Sequence, residues 1–375
     1  MPAAETSAFK RLGRRLLFGL NVLLLVPLFV AMLAPWVHAD SWWLPTVLAL
    51  LYPWWLLLPL VGFLAWLAFS RRFALFNLLV LALNYPIWTA SWQRNSPAPP
   101  DGRDVRVVSY NADAFGYRHE RLEAVVERLK PLKPDIVCLQ EFRDGLDGTH
   151  RALPIVKREL ACPHHAFVEL VPQSGFGLMV LSRYPIAASG RVDPDSLTGN
   201  GLMFADLLLY GDTLRVYNLH LLSYRFSVGQ RHVLGYGSMQ GHSTTRRRKS
   251  TFTPSARSLW QVVKIMLSAW SVHIEQTRAL MRHSRTNQKP TLICADLNNP
   301  PYTWVYRTVK GDFNDLFVER GSGLGRTWGH GLLAFRIDHM FCNRRLEARE
   351  FRILPRDGFS DHSPLYARLR FDFHR

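Results

Sequence analysis

Nine side chains of the kinds that bind cations, move protons or hold phosphate stand at the ends of short apolar runs: Asn111, Asp113, Glu141, His220, Asp296, Asn298, Asp338, Asp361 and His362. A lone Asp or His in such a place is usually a turn residue or a satisfied surface group. Here the pattern repeats, an apolar run followed by one or two polar residues at its carboxyl end. A divalent-cation phosphoryl-transfer site needs such a pool of carboxylates and imidazoles. A hard cation takes oxygen ligands, in-line attack on phosphorus needs a positioned water, and a histidine must be held in one tautomer by a carboxylate.

The runs that would position these groups read as strands. Residues 105–110 are rich in β-branched side chains and end on Asn111, and residues 119–130 have helical spacing that stops at Pro131 and Pro134. Residues 136–139 deliver Glu141, and a run closing at Val180 and Leu181 precedes Ser182-Arg183-Tyr184-Pro185. Residues 207–210 and 214–219 flank Gly211-Asp212, a hairpin signal, and the second run delivers His220. Residues 256–283 suit a helix. Residues 292–294 deliver Asp296 and Asn298, residues 335–341 hold Asp338 inside a strand, and residues 365–371 form a last strand after Asp361 and His362.

Composition bounds the setting. With 375 residues, 48% hydrophobic and 20% charged, the chain is neither disordered nor collagen-like. The four cysteines, Cys138, Cys162, Cys294 and Cys342, have no CxxC spacing, which argues against a cysteine zinc site. The net charge of +17 favours an anionic partner. Eight of the twelve tryptophans fall before residue 93, in a region with three uncharged apolar runs, 16–37, 46–69 and 73–92. Each is about 20 residues, enough to cross a bilayer, so the reading is a membrane anchor over 1–92 with three transmembrane helices. The alternatives are buried helices of a globular core, or a cleaved signal peptide ending near Val37-His38-Ala39. The basic N-terminus and the pair Arg71-Arg72 would be cytoplasmic, which places the rest of the chain outside. Residues 93–104 contain three prolines and a glycine and read as a linker, leaving 105–375 as one α/β domain. An extracytoplasmic domain permits disulfides, but Cys138 and Cys294 lie in strand-like runs and read as core thiols.

Seven segments carry a family resemblance: VVSYNAD at 107–113, DIVCLQEF at 135–142, GLMVLSRYPI at 177–186, VYNLHL at 216–221, LICADLN at 292–298, RIDHMF at 336–341 and FSDHSPL at 359–365. In this order they resemble the endonuclease/exonuclease/phosphatase superfamily, whose fold is shared by deoxyribonuclease I, repair nucleases, neutral sphingomyelinases and inositol polyphosphate 5-phosphatases. The resemblance implies a two-sheet α/β/β/α sandwich. With the apolar N-terminal runs, it implies a membrane-anchored branch in a bacterial inner membrane. It further implies Mg²⁺ (or Mn²⁺) held by Glu141 with Asn111 and Asp361, Asp296 and Asn298 orienting water or phosphate, His220 donating to a phosphoryl oxygen, and His362 oriented by Asp338. Whether Asp296 or His362 takes the proton stays open. Asp113 is a further candidate for the metal. The usual Gly-Asp-Phe-Asn is Ala295-Asp296-Leu297-Asn298 here and the usual Asp-Tyr is Asp338-His339, and neither change removes a reacting group. His339 should alternate away from Asp338.

Between Thr213 and Ile274 there is no acidic residue, while nine Lys or Arg occur, four of them in the run Arg246-Arg247-Arg248-Lys249. This stretch reads as a solvated loop, as a contact for anionic lipid headgroups or as a nucleic-acid phosphate contact. The expected protein is a membrane-anchored metal-dependent phosphoesterase that prefers a lipid or lipid-linked phosphate. A nuclease and a catalytically silent phosphate-binding module are the alternatives, and no protein partner is expected.

Overall fold

The computed structural model describes residues 2–117, 119–145, 151–192, 199–224, 256–329, 334–356 and 358–371. The basic run Arg246 to Lys249 and Phe252 lie outside the described residues. The chain divides into two compact units, Met1–Ser91 with Tyr302–Trp304, and Trp92–Pro301 with Val305–Arg375.

In the first unit one helix, Pro2–Ala31, contains a 22-residue apolar stretch, Lys10–Ala31, long enough to cross a membrane. The other two expected spans are not continuous. Residues 46–69 are divided among helices Leu44–Ala49, Tyr52–Trp55 and Leu57–Leu67, and the first two start on prolines. Residues 73–92 bend by 52° between Arg71–Leu83 and Tyr85–Ser91. Proline lacks an N–H and crowds the preceding turn, and Pro53 and Pro86 each stand second in the helix that follows a break, in runs that apolarity alone would read as one helix. The expectation of three transmembrane helices is therefore corrected to one such helix, or two if the bent pair counts as one span.

Among the described residues the second unit holds fourteen strands: β1 Trp92–Arg94, β2 Asp104–Asn111, β3 Ile136–Arg143, β4 His164–Val171, β5 Phe176–Ser182, β6 Ile186–Arg191, β7 Gly201–Leu209, β8 Asp212–His220, β9 Thr291–Asp296, β10 Asn314–Asp315, β11 Ser322–Leu324, β12 Asp338–Cys342, β13 Leu346–Ile353 and β14 Leu365–Phe371. They form two six-stranded sheets, ordered β13-β14-β2-β3-β5-β4 and β10-β12-β9-β8-β7-β6, with β1 and β11 apart as a pair. Each large sheet contains one parallel pair, β2/β3 and β8/β9. The period of two decides which side chain faces where. Val105, Val107, Ile136 and Cys138 pack with Val216, Leu292, Cys294 and Met340 between the sheets. Val108, Tyr110, Val137 and Leu139 face the other way, under helices His119–Leu129 and Ala152–Glu159. A slip of one residue would exchange the two sets. The 30-residue helix Ala256–Arg285 lies on the second sheet, where Tyr217 and His283 are hydrogen-bonded at 2.9 Å. Met266 and Trp270 of that helix are buried and Trp260 is exposed. All four cysteines are buried free thiols.

Two details bear on the site. The β7–β8 turn is Tyr210-Gly211, both with positive φ, one residue before the Gly211-Asp212 signal; this is the primed turn that matches strand twist. Near the site the sheets are joined by Asn218 of β8. It donates to the carbonyls of Leu139 and Met179, each at 3.0 Å, and accepts from Gln140 Nε2 at 2.7 Å. Asn218→Ala would remove three buried hydrogen bonds and leave Gln140 Nε2 only its bond to Ser109 Oγ at 3.2 Å, which costs about 2–4 kcal/mol. The expected readout is a lowered thermal midpoint of the full chain, and an unchanged midpoint would show that the bridge contributes nothing.

Candidate active site

The ends of the two parallel pairs carry the first four groups. Asn111 closes β2, Glu141 lies near the end of β3, and His220 and Asp296 close β8 and β9, where they are register partners. Asp338 opens β12 opposite Asp296, so His220, Asp296 and Asp338 stand in one row across three strands. It begins the strand rather than lying inside it. Asp361 and His362 arrive on the segment before β14, pinned where Ser360 Oγ donates to the Asn111 carbonyl at 2.8 Å.

Glu141 reaches the row through an irregularity. The β3–β5 register shifts between Leu139 and Phe142, and Glu141 has φ +51°. A bulge of this kind re-aims a side chain. Gln140 thereby turns inward to Asn218 while Glu141 faces the mouth of the site with 24% of its side chain exposed. Asn298 (φ +48°) and the successive residues Asp113, Ala114 and Phe115 are also left-handed. Such backbone carries a cost of order 1 kcal/mol per residue and concentrates at functional sites.

Asn111 Nδ2 donates to Glu141 Oε1 at 3.1 Å and to Asp296 Oδ2 at 3.0 Å, while its Oδ1 accepts from the Asp113 amide at 3.1 Å. Its amide nitrogen therefore orients two carboxylates, and its oxygen, which accepts one N–H, keeps a second lone pair. Asn298 donates through its side chain to the Leu221 carbonyl at 3.0 Å and through its backbone N–H to Asp296 Oδ1 at 3.0 Å. It shapes the loop around Asp296.

The two histidines sit in opposite protonation states. Burial would lower the pKa of His362, but Asp338, 2.9 Å from Nδ1, and Asp296, 3.7 Å from Nε2, raise it well above the usual imidazole value. His362 is an imidazolium. His220 is buried among weaker partners, and burial pushes it down to about 4 against the raising effect of Asp296. It is neutral. Asn200 Nδ2 lies 3.1 Å from Nδ1 and Ser223 Oγ 3.0 Å from Nε2. Asn200 Nδ2 is also 3.2 Å from Nε2, and Nε2 faces Glu141 Oε1 and Asp296 Oδ2 at 3.5 Å each.

Asp296 is fully buried, and burial first, then Asp338, raises its pKa. Burial, then the charges of Asp296 and Asp361, raises Glu141 to about 7. Asp113, exposed at the mouth, is raised to about 7 by loss of water and by Glu141 and Asp361. Glu141 and Asp113, each raised in part by neighbouring carboxylates, stand with Asp361 as three carboxylates not ion-paired with Lys or Arg among the described residues, a donor set that fits a hard divalent cation. Glu141, Asp113 and Asp361 would hold it. Asp361 Oδ2 also accepts from Trp328 Nε1 at 2.8 Å, which fixes its direction. A second cluster, Asp296, Asp338 and His362, has ligand atoms within 4.8 Å of one another. Its histidine is bonded to Asp338, with Nδ1 2.9 Å from Oδ2.

An open cleft of about 420 Å³ leads away from this centre, lined by Glu141, His220, Asn200, Ser223, Arg143 and Phe176 among others. The structure thus brings together all nine strand-end residues of the sequence pattern. Asn200, Ser223, Thr327 and Trp328 were not singled out by sequence. Each acts through hydrogen bonds to neighbouring segments, Thr327 by accepting the N–H groups of Ile337 and Asp338 at 3.0 and 3.1 Å, and none sits in a distinctive motif.

The family model described as "Endonuclease/Exonuclease/phosphatase family" matches residues 108–362, and one for a domain of unknown function matches residues 14–91. No curated protein matches the chain. Similar solved structures include an endonuclease/exonuclease/phosphatase from Beutenbergia cavernae (17% identity, TM-score 0.47, covering 72% of each chain). Another is from Bacteroides vulgatus (15%, TM-score 0.49, 72% of this chain and 99% of that one). A third is the human nocturnin catalytic domain with bound sulfate (18%, TM-score 0.48, 74% and 97%).

A raised carboxylate pKa fixes how cation binding must depend on pH. The folded state holds the Glu141 proton more tightly than the unfolded state does, so this group's stability contribution is present below about pH 4.5 and lost as pH rises to about 7. A cation at Glu141 and Asp113 competes with those protons. Mg²⁺ should therefore raise the thermal midpoint more at pH 8 than at pH 5.5, and a shift independent of pH, or absent, would contradict the donor set.

Proposed function

The chain belongs to the endonuclease/exonuclease/phosphatase family, and from that premise we propose that it is a divalent-metal-dependent phosphoesterase whose reacting groups are those assembled around Asp296. The observation that carries the reading is the placement of His362 between the buried carboxylates Asp296 and Asp338, next to a carboxylate cluster with no Lys or Arg partner among the described residues. His362, already protonated, cannot accept a proton, so Asp296 is the base that takes one from the attacking water. His362, held by Asp338, then lends its positive charge to the phosphoryl oxygens, and His220 donates its Nε2 proton to the same group. Asn111 keeps Glu141 and Asp296 in place, and Asn298 shapes the loop beside them. Mg²⁺ or Mn²⁺ at Glu141, Asp113 and Asp361 would supply Lewis-acid stabilisation of phosphate charge.

For the substrate, the proposal is a phosphodiester or phosphomonoester at a membrane surface, a lipid or lipid-linked phosphate. What supports it is the apolar stretch Lys10–Ala31 together with the acid-free basic stretch of the sequence. With the N-terminus cytoplasmic, a single retained span would put the catalytic domain on the outer side.

The full chain in detergent, assayed with Mg²⁺ on bis(p-nitrophenyl) phosphate, tests the assignment. Glu141→Ala and His362→Ala should each lower kcat by about 10³-fold, and wild-type turnover in both would sink the site. The pH profile adds a signed test. Activity should rise as Asp296 ionises and fall as His362 loses its proton. Asp338→Asn removes the anion that keeps His362 charged, so the descending limb should move to lower pH; a limb that stays put would remove His362 from this role. Phospholipid vesicles, DNA and RNA offered as substrates decide the class, and turnover confined to nucleic acid would overturn the lipid preference.

A further inference from the structure

The chain leaving β8 after His220 and the chain leaving β9 after Asp296 run side by side, joined where the Leu221 amide donates to the Asp296 carbonyl at 3.0 Å. Neither continues as a strand, yet these loops fix where His220, Asp296 and Asn298 stand. Both are gripped from outside by one face of the helix Ala256–Arg285, at three positions spaced by three, Trp270, His273 and Gln276. All three are at most 4% exposed.

The bonds reach both backbone and side chains of the two loops. Trp270 Nε1 donates to Tyr224 Oη at 2.7 Å, and Tyr224 Oη donates onward to the Asn298 carbonyl at 2.9 Å. Gln276 Oε1 accepts from the Leu222 amide at 3.1 Å. His273 spans the two loops: Nε2 is 2.6 Å from the Leu222 carbonyl and Nδ1 is 2.7 Å from Asn299 Nδ2. A carbonyl only accepts, so the ring proton is on Nε2 and Nδ1 is the acceptor for the Asn299 amide. The other Asn299 amide hydrogen goes to the Leu297 carbonyl at 2.7 Å. Both ring nitrogens are therefore committed in a single neutral tautomer. Burial, which holds His273 down at about 4, keeps it there at neutral pH.

We propose that His273 is a positioning residue of the phosphoesterase site, a fixed strut between the His220 loop and the Asp296–Asn298 loop, with Trp270 and Gln276 bracing the same two loops. The inference rests on the function proposed above. His273 touches neither cation ligands nor reacting groups. It sets the gap between a neutral hydrogen-bond donor, His220, and the base, Asp296, on which water and phosphate must both fit. Displacing positioned groups by about 1 Å can cost about 100-fold in rate. None of the seven sequence segments that carry the family resemblance contains His273.

The test uses the full chain with three variants. His273→Ala removes both bonds. His273→Gln offers an N–H to Leu222 and an oxygen to the Asn299 amide. Leu280→Ala empties a buried position two turns along the same helix, at a side chain that is 1% exposed, and has no bond to either loop. On bis(p-nitrophenyl) phosphate with Mg²⁺, His273→Ala should lower kcat by about 10- to 100-fold with little change in KM, and His273→Gln should recover most of it. Leu280→Ala should lower the thermal midpoint but leave kcat intact. Hydrogen exchange supplies a readout independent of turnover, with peptides spanning residues 217–224 and 292–300 exchanging faster in His273→Ala than in Leu280→Ala. Equal kcat losses in His273→Ala and Leu280→Ala, or no rescue by Gln, would reduce His273 to ordinary packing. If the wild type turns over no phosphoester, the function above falls while the exchange arm still decides whether the strut exists: unchanged exchange in both peptides overturns it.

Discussion

Five carboxylates, Asp113, Glu141, Asp296, Asp338 and Asp361, converge on one imidazolium, His362, and this excess of negative charge is the constraint around which the catalytic domain is arranged. Like charges at short range cannot all remain ionised without compensation. The compensation is divided. Asp338 and Asp296 keep His362 protonated. Asn111 donates to both Glu141 and Asp296, and the Asn298 amide donates to Asp296. What is left over gathers at the mouth, where Glu141 and Asp113 have pKa values near neutrality. A cation would settle that remainder, which is why the function proposed above places one there.

The fold serves this constraint by bringing strand ends together that are distant in sequence. Two parallel pairs, β2/β3 and β8/β9, both direct their carboxyl ends to the same place, and Asn218 with Gln140 ties the sheets together just beneath it. A neutral polar bridge is suited to that position. It satisfies buried carbonyls without adding another charge to a site already rich in them.

Much of this was legible in the sequence because it follows from periodicity. Val105 and Val107 alternate with Val108 and Tyr110, which sets strand, face and the delivery of Asn111 in one step. The order of strand-end residues then pointed to the site. Sequence reading failed where a single hydrogen bond or one proline decides the outcome. Residues 46–69 are apolar enough for a span, but Pro53 stands second in the helix that follows their first break. That Asn111 also bridges Glu141 and Asp296 through its amide nitrogen shows only in its partners. Asn200, Ser223 and Trp328 are residues of unremarkable context whose roles exist only once distant loops meet. His339 does alternate away from Asp338, and its Nε2 donates to the Asn299 carbonyl at 3.0 Å, a loop-holding task no spacing could reveal.

In the function proposed above, the reacting groups all address the phosphate, and none is left to recognise what the phosphate is attached to. Discrimination must come from surfaces that the reacting residues do not use. The cleft beside Glu141 and His220 presents a cation, Arg143, an aromatic ring, Phe176, and neutral donors, Asn200 and Ser223. Arg143 and Phe176 are register partners on β3 and β5, so charge and apolar surface are offered side by side at a fixed spacing set by the sheet. Asn200 and Ser223 also bond His220. A leaving group seated against them therefore presses on the residue that orients the phosphate, which makes binding in the cleft and chemistry at phosphorus parts of one arrangement.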